Sequence, residues 1–129
     1  MRRELILVGL GGAAGAVLRH LTDLAVLAAA ASHEFFTGII LSNMAGCLII
    51  GFFFEGLNRH YQPAGRDMHL FLFVGLIGSY TTYSAYILEG LAMSLISPAY
   101  GLVYILCQAA SGILFVWLGI AGFSYYRNR

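Results

Sequence analysis

Four long apolar stretches, at about 5–31, 36–57, 68–96 and 100–123, take up nearly the whole chain. At about 1.5 Å of rise per helical residue, each is long enough to cross roughly 30 Å of hydrocarbon. A bilayer core offers no water to backbone N–H and C=O groups, so such segments are expected as helices whose hydrogen bonds close internally. Composition agrees: 60% of the 129 residues are hydrophobic, only 10% are charged, and mean hydropathy is +0.81. The expectation is an all-α membrane protein, residues 1–129 forming a single four-span transmembrane domain. The first apolar stretch is long and others follow it, unlike a leader with a short apolar core before a soluble remainder, so no cleaved leader is expected.

Short connections are predicted near 32–35, 58–67 and 97–99, the middle one marked by Asn58, Pro63 and Gly65. If helices alternate sides, the N-terminus, the 58–67 connection and the C-terminal tail share one face. That face holds Arg2, Arg3, Arg59, Arg66, Arg127 and Arg129, and the opposite connections hold neither Arg nor Lys. Arginine in short loops is retained in the cytoplasm, so both termini are predicted inside. Cys47 and Cys107 each fall within a span and read as small buried hydrophobes, not as a disulfide pair. A net charge of +1, without a basic cluster interleaved with aromatics, excludes nucleic acid as a partner.

Gly11 and Gly15 form a G-x-x-x-G pattern, with Gly12 and Ala16 beside them, offering a flat strip for close helix packing. Polar groups inside apolar stretches are costly, on the order of 2.5–3.5 kcal/mol for a charge, so each needs a partner or water. Arg19 and Asp23, spaced i, i+4, fit a structural ion pair near the far end of the first span. Glu55 lies close enough to the end of its span to reach the interface. Glu89 is deeper, and both a hydrogen bond to a neighbouring helix and a place in a polar pathway are open to it. Asn43, mid-span, is open to the same two roles through its two N–H donors and one acceptor. His20, His33, His60 and His69 share no ligand spacing with the cysteines, so they are read as interfacial and not as a metal centre.

The run from Gly75 to Tyr86, GLIGSYTTYSAY, is rich in hydroxyls and punctuated by glycine in the middle of the third apolar stretch. Low helix propensity there predicts a mid-membrane break whose freed carbonyls suit a cation. Tyr80, Tyr83 and Tyr86 recur every three residues, which puts Tyr83 and Tyr86 on about one face where a helix resumes. Their electropositive edges and hydroxyls suit an anion shedding water, and an aromatic packing face is the alternative.

Taken together, these residues resemble the fluoride channel family known as Fluc or CrcB along the whole chain. Gly11 to Arg19, GGAAGAVLR, is similar to the family's G-G-x-x-G-A-x-x-R opening. Gly38 to Gly46 carries Asn43, and the Gly75 to Tyr86 run resembles G-x-x-G-G-x-T-T-F-S-T-F, with Glu89 three residues later. The resemblance implies an antiparallel, dual-topology dimer in the inner (plasma) membrane, with pores along the subunit interface and the third helix broken. It implies a structural sodium ion at the centre, held by the backbone carbonyls of Gly78 and Thr81. Asn43, Thr82, Tyr83, Ser84, Tyr86 and Glu89 would line the fluoride pathway, with Arg19, Gly12 and Gly15 in structural roles. No enzyme activity is implied.

This sequence departs from the family pattern at Ser79, Tyr83, Ala85, Tyr86 and Ile39, where Gly, Phe, Thr, Phe and Thr are typical. Six arginines on one face also favour one orientation, whereas an antiparallel homodimer needs a chain that inserts both ways. The leading expectation is passive fluoride export. The alternatives are a non-conducting or half-active subunit of a heterodimeric fluoride channel, paired with a related subunit of opposite topology, and a small multidrug-type proton-coupled exporter. The last needs a carboxylate deep in the first helix, where Asp23 is late and Glu4 terminal.

Overall fold

The structure is a computed structural model that describes the backbone of residues 1–29, 37–59 and 63–127 and the side chains of these outside 55–64. Glu55, Asn58, Arg59, His33, His60, Pro63 and Arg129, singled out from the sequence, lie outside the described side chains, and the 32–35 connection lies outside the described residues.

Every element among the described residues is helical. They run α1 (Arg2–Ala29), α2 (Gly38–Arg59), α3 (Pro63–His69), a π-helical turn region (Leu70–Ile77), α4 (Gly78–Tyr80), α5 (Tyr83–Ile96) and α6 (Pro98–Arg127). Proline opens both α3 and α6, where its missing N–H has no intrahelical role and its fixed φ suits a first turn. Between α5 and α6 a single extended residue, Ser97, turns the chain: its N–H donates to Met93 O at 3.1 Å, and its carbonyl accepts from Tyr100 and Gly101. Three helical stretches, Arg2–Ala29, Gly65–Ile96 and Pro98–Arg127, are long and apolar enough to cross a membrane, and Gly38–Phe54 is a shorter apolar helix.

α6 lies along α2 and α5, while α1 lies along the π-helical region and α4 and also meets α2. Small residues set these approaches. A Cβ on Gly11 or Gly15 would run into the backbone of Phe71, Gly75 and Leu76, so the G-x-x-x-G strip is used within the protomer, against the π-helical region. Gly12 faces open space and stands off this seam. The α2–α6 seam repeats the device from both sides, with Gly51 against the Val116 backbone and Gly119 against Leu48 and Phe52. Phe52 closes its flank edge-to-face on Phe123, with ring centroids 5.4 Å apart.

Little of the protomer is shielded by its own chain. Ile77 and Tyr104 are the buried large hydrophobic residues among those described, whereas Leu5, Val17, Leu27, Ile113 and Trp117 are exposed. An outward-facing apolar surface of this extent suits hydrocarbon as solvent, and the chain is an all-α membrane protein. Ion pairs gather at one end: Arg3 pairs with Asp67, Arg66 with Glu4 at 2.7 Å, and the N-terminal amine with Glu4 at 3.4 Å, tying the start of α1 to α3.

Candidate functional site at a helix break

Between α4 and α5 the backbone leaves the helix for two residues. Thr81 (φ −80°, ψ 153°) and Thr82 (φ −147°, ψ 125°) are extended, a conformation that β-branched side chains favour. The break predicted from the Gly75 to Tyr86 run is therefore present, at its two adjacent threonines. In an uninterrupted helix the Thr82 N–H would bond Gly78 O and the Ala85 N–H would bond Thr81 O. Here the Thr82 N–H donates to Asn43 Oδ1 at 2.8 Å, and the Ala85 N–H donates to Thr82 Oγ1 at 3.3 Å as an N-cap of α5.

The carbonyls of Gly78 and Thr81 thus lose their helical donors. They are neutral, hard oxygen ligands of the kind that holds an alkali cation, so the residues present fit sodium. Gly78 has no side chain to cover its carbonyl and is exposed. Thr81 is anchored by its own hydroxyl, which donates to Ile77 O at 3.0 Å.

From the break a chain of side-chain hydrogen bonds runs across α2, α6 and α5. Asn43 Nδ2 donates to Thr82 O at 3.1 Å and to Gln108 Oε1 at 3.2 Å. Gln108 Nε2 donates to Tyr104 OH at 2.7 Å, Tyr104 OH donates to Glu89 Oε2, and Thr37 Oγ1 donates to the same oxygen at 3.0 Å. Tyr104 is only 2% exposed, and among the described residues no buried side-chain N or O lacks a partner. Asn43 does join helices, as one of its two sequence readings held, by satisfying the interrupted backbone of another element. Glu89 is likewise hydrogen-bonded to neighbouring elements, and the connection continues to the break.

Tyr83 and Tyr86 share a face as predicted, their rings edge-to-face with centroids 5.5 Å apart, and Tyr86 lies 6.5 Å from Tyr104. Tyr86 OH reaches Ile105 O at 3.5 Å. Tyr83, in the first turn of α5 beside the break, is 75% exposed. Tyr80 turns away, its hydroxyl 3.1 Å from Thr22 Oγ1 on α1.

A cavity of about 640 Å³ is lined by Asn43, Gly78, Thr81, Thr82, Tyr83, Tyr86 and Gln108 together with apolar residues such as Ile50, Phe73 and Val116. A second cavity of about 380 Å³ has a more polar lining of Arg19, Asp23, Thr82 and Ser84 beside Ile39, Ala85 and Leu88. Thr82 lies on both, and its hydroxyl is 3.4 Å from that of Ser84. Arg19 and Asp23 share this second lining, and the ion pairs found among the described residues lie instead at the start of α1. Gly12 and Gly15 lie away from both cavities, Gly15 in the α1 seam.

Sequence reasoning missed Gln108, Tyr104 and Thr37. A signal existed for the first two: a lone amide inside the fourth apolar stretch, with a phenol one helical turn earlier, is the i, i+4 spacing that lets two side chains meet.

Known proteins carry the same pattern along nearly all of this length. The sequence matches the family described as CrcB-like protein, Camphor Resistance (CrcB), over residues 6–120. It is 37% identical over 119 residues to the fluoride-specific ion channel FluC of Rhizobium meliloti, covering 92% of this chain and 94% of that protein. The protein of the same name from Neisseria meningitidis is 36% identical over 121 residues, covering 93% and 94%. That from Phocaeicola vulgatus is 34% identical over 120 residues, covering 92% and 96%. This chain belongs to the CrcB-like protein family.

Proposed function

We propose that this chain conducts fluoride passively out of the cell, as a channel and not as an enzyme. The observation that carries the reading is the unbroken line of hydrogen-bonding groups from the Thr82 break through Asn43, Gln108 and Tyr104 to Glu89 and Thr37, in a relative of proteins named fluoride-specific ion channels. Fluoride holds its water tightly, so a passage for it must offer replacement donors throughout. Asn43, Thr82, Ser84 and the electropositive ring edges of Tyr83 and Tyr86 supply these near the break, and Glu89 governs the far end. Fluoride that enters as neutral HF dissociates in a near-neutral cytoplasm and leaves down its gradient.

The proposal extends to an antiparallel dimer of four-crossing subunits in the inner (plasma) membrane, with α2 as the shortest span. Tyr83, so exposed beside a mid-helix break, calls for cover by a second subunit. The two carbonyls of Gly78 and Thr81 make half of a symmetric cation site, and sodium bound there would hold the two breaks together. Arg19, Gly12 and Gly15 keep structural roles. The arginine asymmetry supports a single orientation with cytoplasmic termini, and with it a second reading: one half of a heterodimer whose partner inserts the other way.

Fluoride efflux from liposomes containing only the purified protein, read with a fluoride electrode, tests the proposal. Fluoride-selective efflux with no chloride flux is expected of a self-sufficient channel. Silence from folded protein favours the heterodimeric or structural subunit, and antiparallel cross-linking of the chain with itself rules that reading out.

A further inference from the structure

Asn43 is fully engaged. Its Oδ1 and one Nδ2 hydrogen are held by the N–H and C=O of Thr82, at 2.8 and 3.1 Å, and its other Nδ2 hydrogen goes to Gln108 Oε1 at 3.2 Å. Giving up the Thr82 pair would leave two part-buried backbone groups of the broken helix without their partners. The Gln108 contact is the longest of the three, joins two side chains, and is the one that can be exchanged at small cost. Gln108 itself is hinged elsewhere, since its Nε2 donates to Tyr104 OH at the shorter distance of 2.7 Å. Its carbonyl oxygen can therefore swing from Asn43 while its nitrogen stays near Tyr104. Both residues line the 640 Å³ cavity, so an anion there meets this contact directly.

We propose that Gln108 is a built-in competitor for the anion, its Oε1 occupying the one exchangeable hydrogen of Asn43 whenever no ion is bound. The inference rests on the fluoride-channel reading. Conduction needs a site that binds well enough to admit an ion and weakly enough to release it. A neutral amide oxygen that returns to the vacated hydrogen lowers the net affinity of the Asn43 site and speeds departure. A neutral hydrogen bond shifts such an equilibrium by up to about tenfold. It also keeps the empty site satisfied, since an unpaired amide hydrogen at this depth is costly.

Removing the competitor tightens the site. Gln108→Leu, of similar size but without an acceptor, should lower the fluoride concentration giving half-maximal efflux from liposomes by up to about tenfold, and lower the maximal rate. A residue that merely supported the fold would lower the rate at unchanged half-saturation. Half-saturation that stays or rises in a conducting variant overturns the inference.

A measurement on the unaltered protein avoids dependence on that variant folding. In isotope-labelled protein in nanodiscs, the Asn43 side-chain amide and the Gln108 side-chain carbonyl carbon should shift with one fluoride dependence. Movement of Asn43 alone, or of neither, overturns the proposal. Wild-type protein silent in the flux assay ends the reading of a self-sufficient fluoride channel and this inference with it, whereas a conducting wild type beside an unaltered Gln108→Leu ends the inference only.

Discussion

Asn43 carries two demands that conflict in most side chains: it completes the backbone of a broken helix and faces a cavity. Aspartate keeps its shape but has no donor, so Asn43→Asp sets a carboxylate against Thr82 O and Gln108 Oε1, both acceptors. The loss of two donated bonds, together with a charge of the permeant ion's own sign, should reduce fluoride efflux by more than about 100-fold. Efflux from liposomes compared with the unaltered chain checks this, and flux within about threefold removes Asn43 from the pathway. Asn43 and Glu89 were legible in the sequence because polar groups among apolar ones must be doing something. Gln108 carries the same mark, yet its meaning depends on which helix α6 faces, and no local pattern encodes that. The tyrosine face was legible from spacing alone, since three residues bring Tyr83 and Tyr86 together on any helix.

Among the elements, α1 and the π-helical region are fitted by absence of side chains. Gly15→Val drives a branched side chain into the backbone of Leu76 and Tyr80, where nothing flexible can yield. Overpacking of this kind costs about 1–3 kcal/mol, which should appear as a lowered midpoint of thermal unfolding in detergent. Gly12→Ala, with nothing within 4 Å of the added carbon, should leave that midpoint in place, and equal losses in the two variants would refute the seam. The G-x-x-x-G pattern announced a packing strip but not its partner. The break was announced by glycine and hydroxyl content, and the two threonines took it because extended backbone suits them. The π-helical winding of Leu70–Ile77 was not announced: those residues read as ordinary apolar helix, and the seam against Gly11 and Gly15 is a tertiary matter.

At the scale of the whole molecule, the charged end is held together as a unit by Arg3 with Asp67 and Arg66 with Glu4. Acidic partners do little to offset arginine in setting orientation, so these pairs leave the topological bias standing. A fluorescent protein fused after Arg129 should therefore light up in the cytoplasm, while alkaline phosphatase at the same place should be inactive. Active phosphatase in a large share of molecules would mean that the chain inserts both ways and can pair with itself. The apolar stretches made a membrane protein legible, and the arginine count supplies the orientation that these fusions test. The proposed pairing of subunits came from the family resemblance alone, because one sequence records only its own half of an interface.

The interruption at Thr81 and Thr82 also has an electrical consequence. Peptide dipoles leave about half a positive charge at the start of a helix and half a negative charge at its end. α4 ends and α5 begins within two residues of each other, so opposite poles face across one short gap deep in the chain. One lip of that gap attracts cations and the other attracts anions. In a medium of low dielectric constant their fields reach each other with little loss, and a positive ion seated at one lip lowers the cost of a negative ion arriving at the other. The same two residues that spoil a helix would thereby tie occupancy of the proposed cation site to the ease with which an anion crosses.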